Sequence, residues 1–124
     1  MSKKKTVIRW LDTPEDHDYP AAKSYLSLIY DENFVNNTIA QLKNAPMSSF
    51  KAKDIFRASG LSLLGISNVY VKKDQRKIEE GLVLSPLLPL REPKLGKVII
   101  ADGYHRLCAV YSFDEDAIIP CKIV

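Results

Sequence analysis

A chain of 124 residues with 46% hydrophobic and 27% charged side chains is long enough to bury a core and too apolar for a disordered composition. No apolar run approaches the roughly 20 residues that a membrane span needs. The basic start Met1-Ser2-Lys3-Lys4-Lys5 is followed by Arg9, Asp12, Glu15 and Asp16 rather than by the apolar stretch of a signal peptide. These features predict one cytoplasmic domain with no membrane partner, and a net charge of +3 permits contact with a polyanion without arguing for it.

In chain order, Val7 to Leu11 reads as a short strand and Asp12 to Asp18 as a polar loop around Pro14. A helix is expected from Ala21, with Ala22, Tyr25, Leu26 and Ile29 on one stripe. Asp31 is placed to cap a second helix, where Phe34, Val35, Thr38, Ile39 and Leu42 repeat the pattern until Ala45-Pro46 ends it. A third helix is predicted over Ala52 to Ala58, stopped near Gly60. Leu61 to Gly65 is an apolar turn. Asn68 to Glu80 is a charged amphipathic segment with Val71 and Ile78 inward and Gly81 just past its end. Leu82 to Leu90 is apolar but carries Pro86 and Pro89, as an edge strand or a strand entered at a turn would. The clearest strand is Lys97 to Ala101, which runs through Asp102-Gly103 into a helix with Tyr104, Leu107, Cys108 and Tyr111 on one face. A last strand, Ile118 to Val124, puts Ile119, Cys121 and Ile123 on a common face. Cys108 and Cys121 lack metal-ligand spacing and are expected as free, buried thiols.

The chemistry concentrates at Asp102-Gly103-Tyr104-His105-Arg106. A helix N-terminus presents backbone N–H groups without intrahelical partners and about half a positive charge, so it attracts anions. Gly103, having no Cβ, lets the backbone come close to a phosphate, Arg106 offers a bidentate fork, and His105 can donate to a phosphate or move a proton. Asp102 would repel a phosphate, which leaves two chemical roles, holding Mg²⁺ or taking a proton, and one structural role, capping the helix.

The segments Lys77-Ile78-x-x-Gly81-Leu82-x-x-Ser85-Pro86, Ile99-x-x-Asp102-Gly103-x-His105-Arg106 and Ile119-Pro120-x-Lys122-Ile123 together resemble the ParB/sulfiredoxin superfamily over roughly residues 71–124. The resemblance implies a helix ending in Gly, a strand starting at Pro, a hydrophobic strand ending at a phosphate-binding turn, and a closing Ile-Pro strand. Sulfiredoxins look like Gly-Cys-His-Arg; Tyr104 stands at the position of their nucleophilic Cys and excludes that chemistry. Chromosome-partition ParB proteins look like Gly-Glu-Arg-Arg, which only Gly103 and Arg106 match, and no helix-turn-helix reader is expected after Val124. The free-serine kinases look like Asp-Gly-His-His-Arg, which differs only at Tyr104, but they also use an upstream glutamate as base, and no Glu lies between Asn33 and Ile78.

Lys53 and Arg57, one helical turn apart with Asp54 between them, are further candidates for phosphate, against the simpler reading of a solvated face. The same weighing applies to the basic cluster Lys72, Lys73, Arg76 and Lys77 as a nucleic-acid contact. His17 reads as a loop histidine, and Asp114, Glu115 and Asp116 as an acidic loop without EF-hand spacing.

The expected fold is α+β: a small mixed sheet with packed helices in one domain, with residues 1–48 as a mostly helical N-terminal addition and 49–124 as the ParB/sulfiredoxin-like core. The expected site has Asp102 and His105 in catalysis, and Gly103, Tyr104, His105 and Arg106, with Lys53 and Arg57, on phosphate; Asp102 is the place for Mg²⁺ brought with a nucleotide. A nucleotide- or phosphate-binding protein, as a small phosphotransferase or nucleotide hydrolase, is the first function expected. A non-catalytic DNA-associated or regulatory module is the alternative, and a nuclease ranks last because only one carboxylate lies in the motif.

Overall fold

The computed structural model describes residues 7–65 and 67–124; the basic start at residues 1–5 lies outside them. The fold is α+β. The elements, in chain order, are β1 (Arg9–Trp10), α1 (Asp18–Leu26), α2 (Glu32–Asn44), β2 (Ser48–Lys51), α3 (Ala52–Ser59), α4 (Val69–Glu79), β3 (Val83–Leu84), β4 (Leu88–Glu92), a 3-10 turn (Pro93–Leu95), β5 (Lys97–Asp102), α5 (Tyr104–Phe113) and β6 (Ile118–Cys121).

The strands form small paired pieces. β4 and β5 are antiparallel, with Leu90 opposite Ile99, and the register shifts between Leu88 and Pro89, where the proline has no N–H to give the ladder. β6 and the residues after it run beside β4: the Leu87 N–H donates to Pro120 O (3.1 Å), Lys122 N–H to Leu87 O (3.1 Å) and Arg91 N–H to Val124 O (2.7 Å). β2 lies antiparallel on β6, and β1 pairs in parallel with β3. Among the described residues the pieces are of both kinds, one parallel and two antiparallel, each of two strands.

Alternation along β5 divides the core. Ile99 and Ala101, with Leu88 and Leu90 of β4, pack against Tyr19, Ala22 and Leu26 of α1 and Val35, Ile39 and Leu42 of α2. Ile100 and Val98 face the other way, toward Ile55 of α3, Val71 and Ile78 of α4 and the buried row Leu107 to Val110 of α5. The first two helices thus form one wall of the core, and β1 makes a two-stranded pair with β3 of the C-terminal half.

Local signals explain most boundaries. Asp31 caps α2 by accepting from the Phe34 N–H at 2.8 Å, and Asn68 caps α4 by accepting from Tyr70 N–H and Val71 N–H. Gly60 closes α3 in the left-handed conformation. Differences fall where an apolar stripe misleads. α1 begins at Asp18 and ends at Leu26, so Tyr19 is buried while Tyr25 and Ile29 are exposed. Leu82 to Leu90 divides into β3 and the start of β4, with buried Ser85 and Pro86 between. β2 was not anticipated: Ser-Ser-Phe-Lys has no apolar alternation, and it is a strand because β6 offers it an edge. Among the described residues no helix is long and apolar enough to cross a membrane.

Candidate functional site

β5 delivers Asp102 to the edge of the sheet and the chain turns on Gly103 at φ +105, a conformation L side chains rarely adopt. Space enforces the same choice: a Cβ at 103 would stand 2.8 Å from Leu87 Cγ and 2.9 Å from Arg106 Nη2. α5 follows at once. Among the described residues its N-terminus has no side-chain cap, and the first bond back is from the Leu107 N–H to Gly103 O (2.9 Å), so the N–H groups of Tyr104, His105 and Arg106 precede the intrahelical ladder.

The capping role for Asp102 is therefore corrected. Gly103 is the cap residue, and the Asp102 carboxylate turns to Arg106 one helical turn on, accepting from Nη2 at 2.9 Å. Both side chains are largely buried, at 17% and 18% exposure. Arg106 Nη2 also approaches Pro86 O at 3.4 Å, while Arg106 Nε is buried and has no hydrogen-bond partner among the described residues. Burial pushes the Asp102 carboxyl above its ordinary range. The Arg106 charge and hydrogen bond pull the other way, and nearby Asp18 adds to the rise.

Four neighbours of the turn come from elsewhere in the chain. From α4, the Tyr70 ring lies 5.1 Å from the His105 ring, and Asp74, one turn further along, sits in the fields of Arg106 and His105. Burial raises Asp74, against the pull of Arg106, Lys77 and His105. From the start of α1 and the residue before it, Asp18 and His17 act on Asp102 through their charge. Asp18 is buried, accepts from Ser85 Oγ and the Glu15 N–H (3.0 Å), and has His17 Nε2 at 3.4 Å; the same nitrogen is 2.9 Å from Glu15. Glu15, His17 and Asp18 offer ligand atoms within 4.8 Å of one another. The histidine, read from the sequence as a plain loop residue, is thus part of a cluster. Its mixed nitrogen and oxygen donors suit a transition metal better than Mg²⁺. The three lie within four positions of one another in the sequence; what spacing does not show is Ser85, 67 positions from Asp18, which donates to that carboxylate.

Tyr104 and His105 keep close company, with ring centroids 5.7 Å apart, and the Tyr104 hydroxyl donates to Ser62 O, so the tyrosine side chain is occupied in tying the 61–65 segment to α5. Lys53 and Arg57 are not gathered with the turn. Lys53 Nζ pairs with Asp116 (2.7 Å) in the loop that follows α5, and exposed Arg57 lies 3.8 Å from Asp54, so both stand at the far end of that helix, beside Tyr111. The expectation that they complete the phosphate site is corrected on that geometry. The acidic loop has a structural task as well, because the Glu115 and Ala117 carbonyls accept from Lys53 N–H and Ala52 N–H at the start of α3.

Cys108 and Cys121 are buried and unbridged. Burial raises both thiols, Cys121 to about 11, so thiolate is scarce at neutral pH. Under native conditions both should react with a maleimide or disulfide reagent at least tenfold more slowly than in the urea-unfolded chain. Rapid labelling of Cys108 in the native protein would reopen redox chemistry at α5.

No family model, curated protein or solved structure matches the chain.

Proposed function

We propose that the protein binds a phosphate-bearing ligand, a nucleotide in the first instance, at the start of α5. The observation that supports this most is the pairing of a helix N-terminus without a side-chain cap with a largely buried arginine whose Nε has no hydrogen-bond partner among the described residues. The N–H groups of Tyr104, His105 and Arg106 would donate to phosphate oxygens, with Gly103 allowing the approach. Arg106 would add a charged fork and His105 a donor or a mobile proton. Turnover, as a phosphotransferase or nucleotide hydrolase, needs a group to take a proton from the acceptor hydroxyl or water. Asp102 is the first candidate, because burial lifts its carboxyl. As arranged, its Oδ2 is held by Arg106, so the residues present do not by themselves form a Mg²⁺ site; an ion arriving with a nucleotide would compete with the guanidinium for Asp102.

The test is thermal stability in ATP, CTP, GTP, ADP or inorganic phosphate, each with and without Mg²⁺. A ligand at 100 times its Kd should stabilise by about 2.7 kcal/mol. Arg106→Lys keeps a charge opposite Asp102 but loses the fork, and should weaken the best ligand at least tenfold. Absence of any shift at millimolar concentrations overturns the reading.

A second reading, a non-catalytic DNA-associated module, is supported by one observation. Lys72, Lys73, Arg76 and Lys77 surround a shallow cleft of about 570 Å³ with Tyr70, whose ring meets His105. Binding to a labelled duplex that falls steeply with salt and is lost in Lys72→Ala/Arg76→Ala would favour it.

A further inference from the structure

A hollow of about 250 Å³ opens beneath α3, on the sheet face away from α1 and α2. Its walls come from four places: Ile55 and Ala58 of α3, Pro89 of β4, Val98 of β5, and Ile123 after β6, with Phe50 of β2 at the side. Almost all of that surface is carbon, and the walls belong to elements held by the sheet, so the hollow is preformed rather than a gap between loops. Two charged residues share the lining, Asp54 and Arg91. Asp54 already faces Arg57 at 3.8 Å. The Arg91 guanidinium, by contrast, has neither a hydrogen bond nor an ion pair among the described residues. An apolar pocket with one convergent charged group is the usual form of a small-molecule site, and an unpaired guanidinium selects a planar anion.

We propose that this hollow binds a small carboxylate with an apolar body, an aromatic or branched-chain acid, whose carboxylate meets Arg91 while its ring or chain lies on Ile55, Ala58 and Val98. Size agrees. An apolar cavity of about 150 Å³ holds benzene, so the volume here takes a ring together with a head group. Asp54, the lining charge that an amine could meet, already faces Arg57, so the unpaired charge is that of Arg91 and it favours the acid. This site is separate from the turn at residues 102–106 and does not depend on the function proposed there.

The experiment is titration of the whole protein, labelled with ¹⁵N, with 3-phenylpropanoate and 4-methylpentanoate, beside their neutral amides. The expected result is saturable movement of the Ile55, Ala58, Val98 and Ile123 amide signals by the acids, with the amides at least tenfold weaker. Arg91→Gln, at an exposed position, should weaken the acids at least tenfold while leaving the spectrum otherwise folded. Ala58→Phe, which fills the hollow from α3, should abolish binding. Equal affinity for acid and amide, unchanged binding in both variants, or no binding at millimolar ligand overturns the proposal. Signals that move only at Tyr104 to Leu107 would place the acid at the turn instead, and protection of the hollow that grows with protein concentration alone would assign it to a second copy of the chain. Either result also overturns it.

Discussion

Gly103→Ala is expected to destabilise the protein by about 3 kcal/mol, read as a lowered urea midpoint with an unchanged slope. Two costs combine. The backbone stands at φ +105, where an alanine is strained, and its Cβ would meet Leu87 Cγ at 2.8 Å and Arg106 Nη2 at 2.9 Å. Leu87 cannot retreat, because it is fully buried and its backbone is bonded on both sides to β6 and the residue after it. Arg106 can move only by leaving Asp102. Gly96→Ala is the control. Gly96 also has positive φ, at +63, but nothing lies within 4 Å of the added carbon, so it should cost about 1 kcal/mol from conformation alone. Equal losses at the two glycines would show that the tight seat of residue 103 is not what demands glycine. The variant should also lose anion binding at the turn, since restoring space for the Cβ displaces the arginine.

The same glycine shows what could be read in the sequence. Strand, Asp-Gly, helix is a local pattern, and β5, Gly103 and α5 stand where that pattern puts them. Asp31 and Asn68 likewise carry their capping within three residues. Those are short-range chemistry. What the sequence did not disclose is long-range: β2 is a strand because β6 needs a partner, and Ser85 is buried because Asp18 accepts from it. The site follows the same division. Gly103, His105 and Arg106 were legible as a cluster, since a helix start gathers neighbours in sequence. Tyr70 and Asp74 reach the turn only through the packing of α4 on α5, and from sequence alone they belong to a solvated charged helix. Asp102 was legible as a residue of interest but not in its partner. Asp at a helix start usually caps, and here Gly103 takes that position while Arg106, at i+4, draws the carboxylate away.

Asp102→Ala and Asp102→Asn should therefore part company. Removing the side chain leaves the largely buried Arg106 without its carboxylate, and about 3 kcal/mol of stability should be lost. Asparagine still accepts from the guanidinium through its side-chain oxygen, so Asp102→Asn should change stability at neutral pH by less than about 1 kcal/mol. The pH dependence has a definite sign. Because the folded-state pKa of Asp102 is raised, its favourable contribution is complete below the unfolded carboxylate range and is lost as pH rises through the folded value. The wild type should thus gain on the Asn variant as pH falls through the acidic range. Asp74, raised by the same cause, should behave alike in its own variant. Ligand binding then separates the chemical roles. If Asp102 only seats Arg106, the Asn variant should hold an anion at the turn as well as the wild type or better, a repelling charge having gone. If Asp102 shares Mg²⁺ with a nucleotide or takes a proton, the variant should stay folded yet lose Mg²⁺-dependent binding or turnover. Mg²⁺ dependence that survives in Asp102→Asn would reduce the carboxylate to a positioning group for Arg106 and move the search for a proton acceptor to Asp74, a second raised carboxyl that feels the charges of Arg106 and His105.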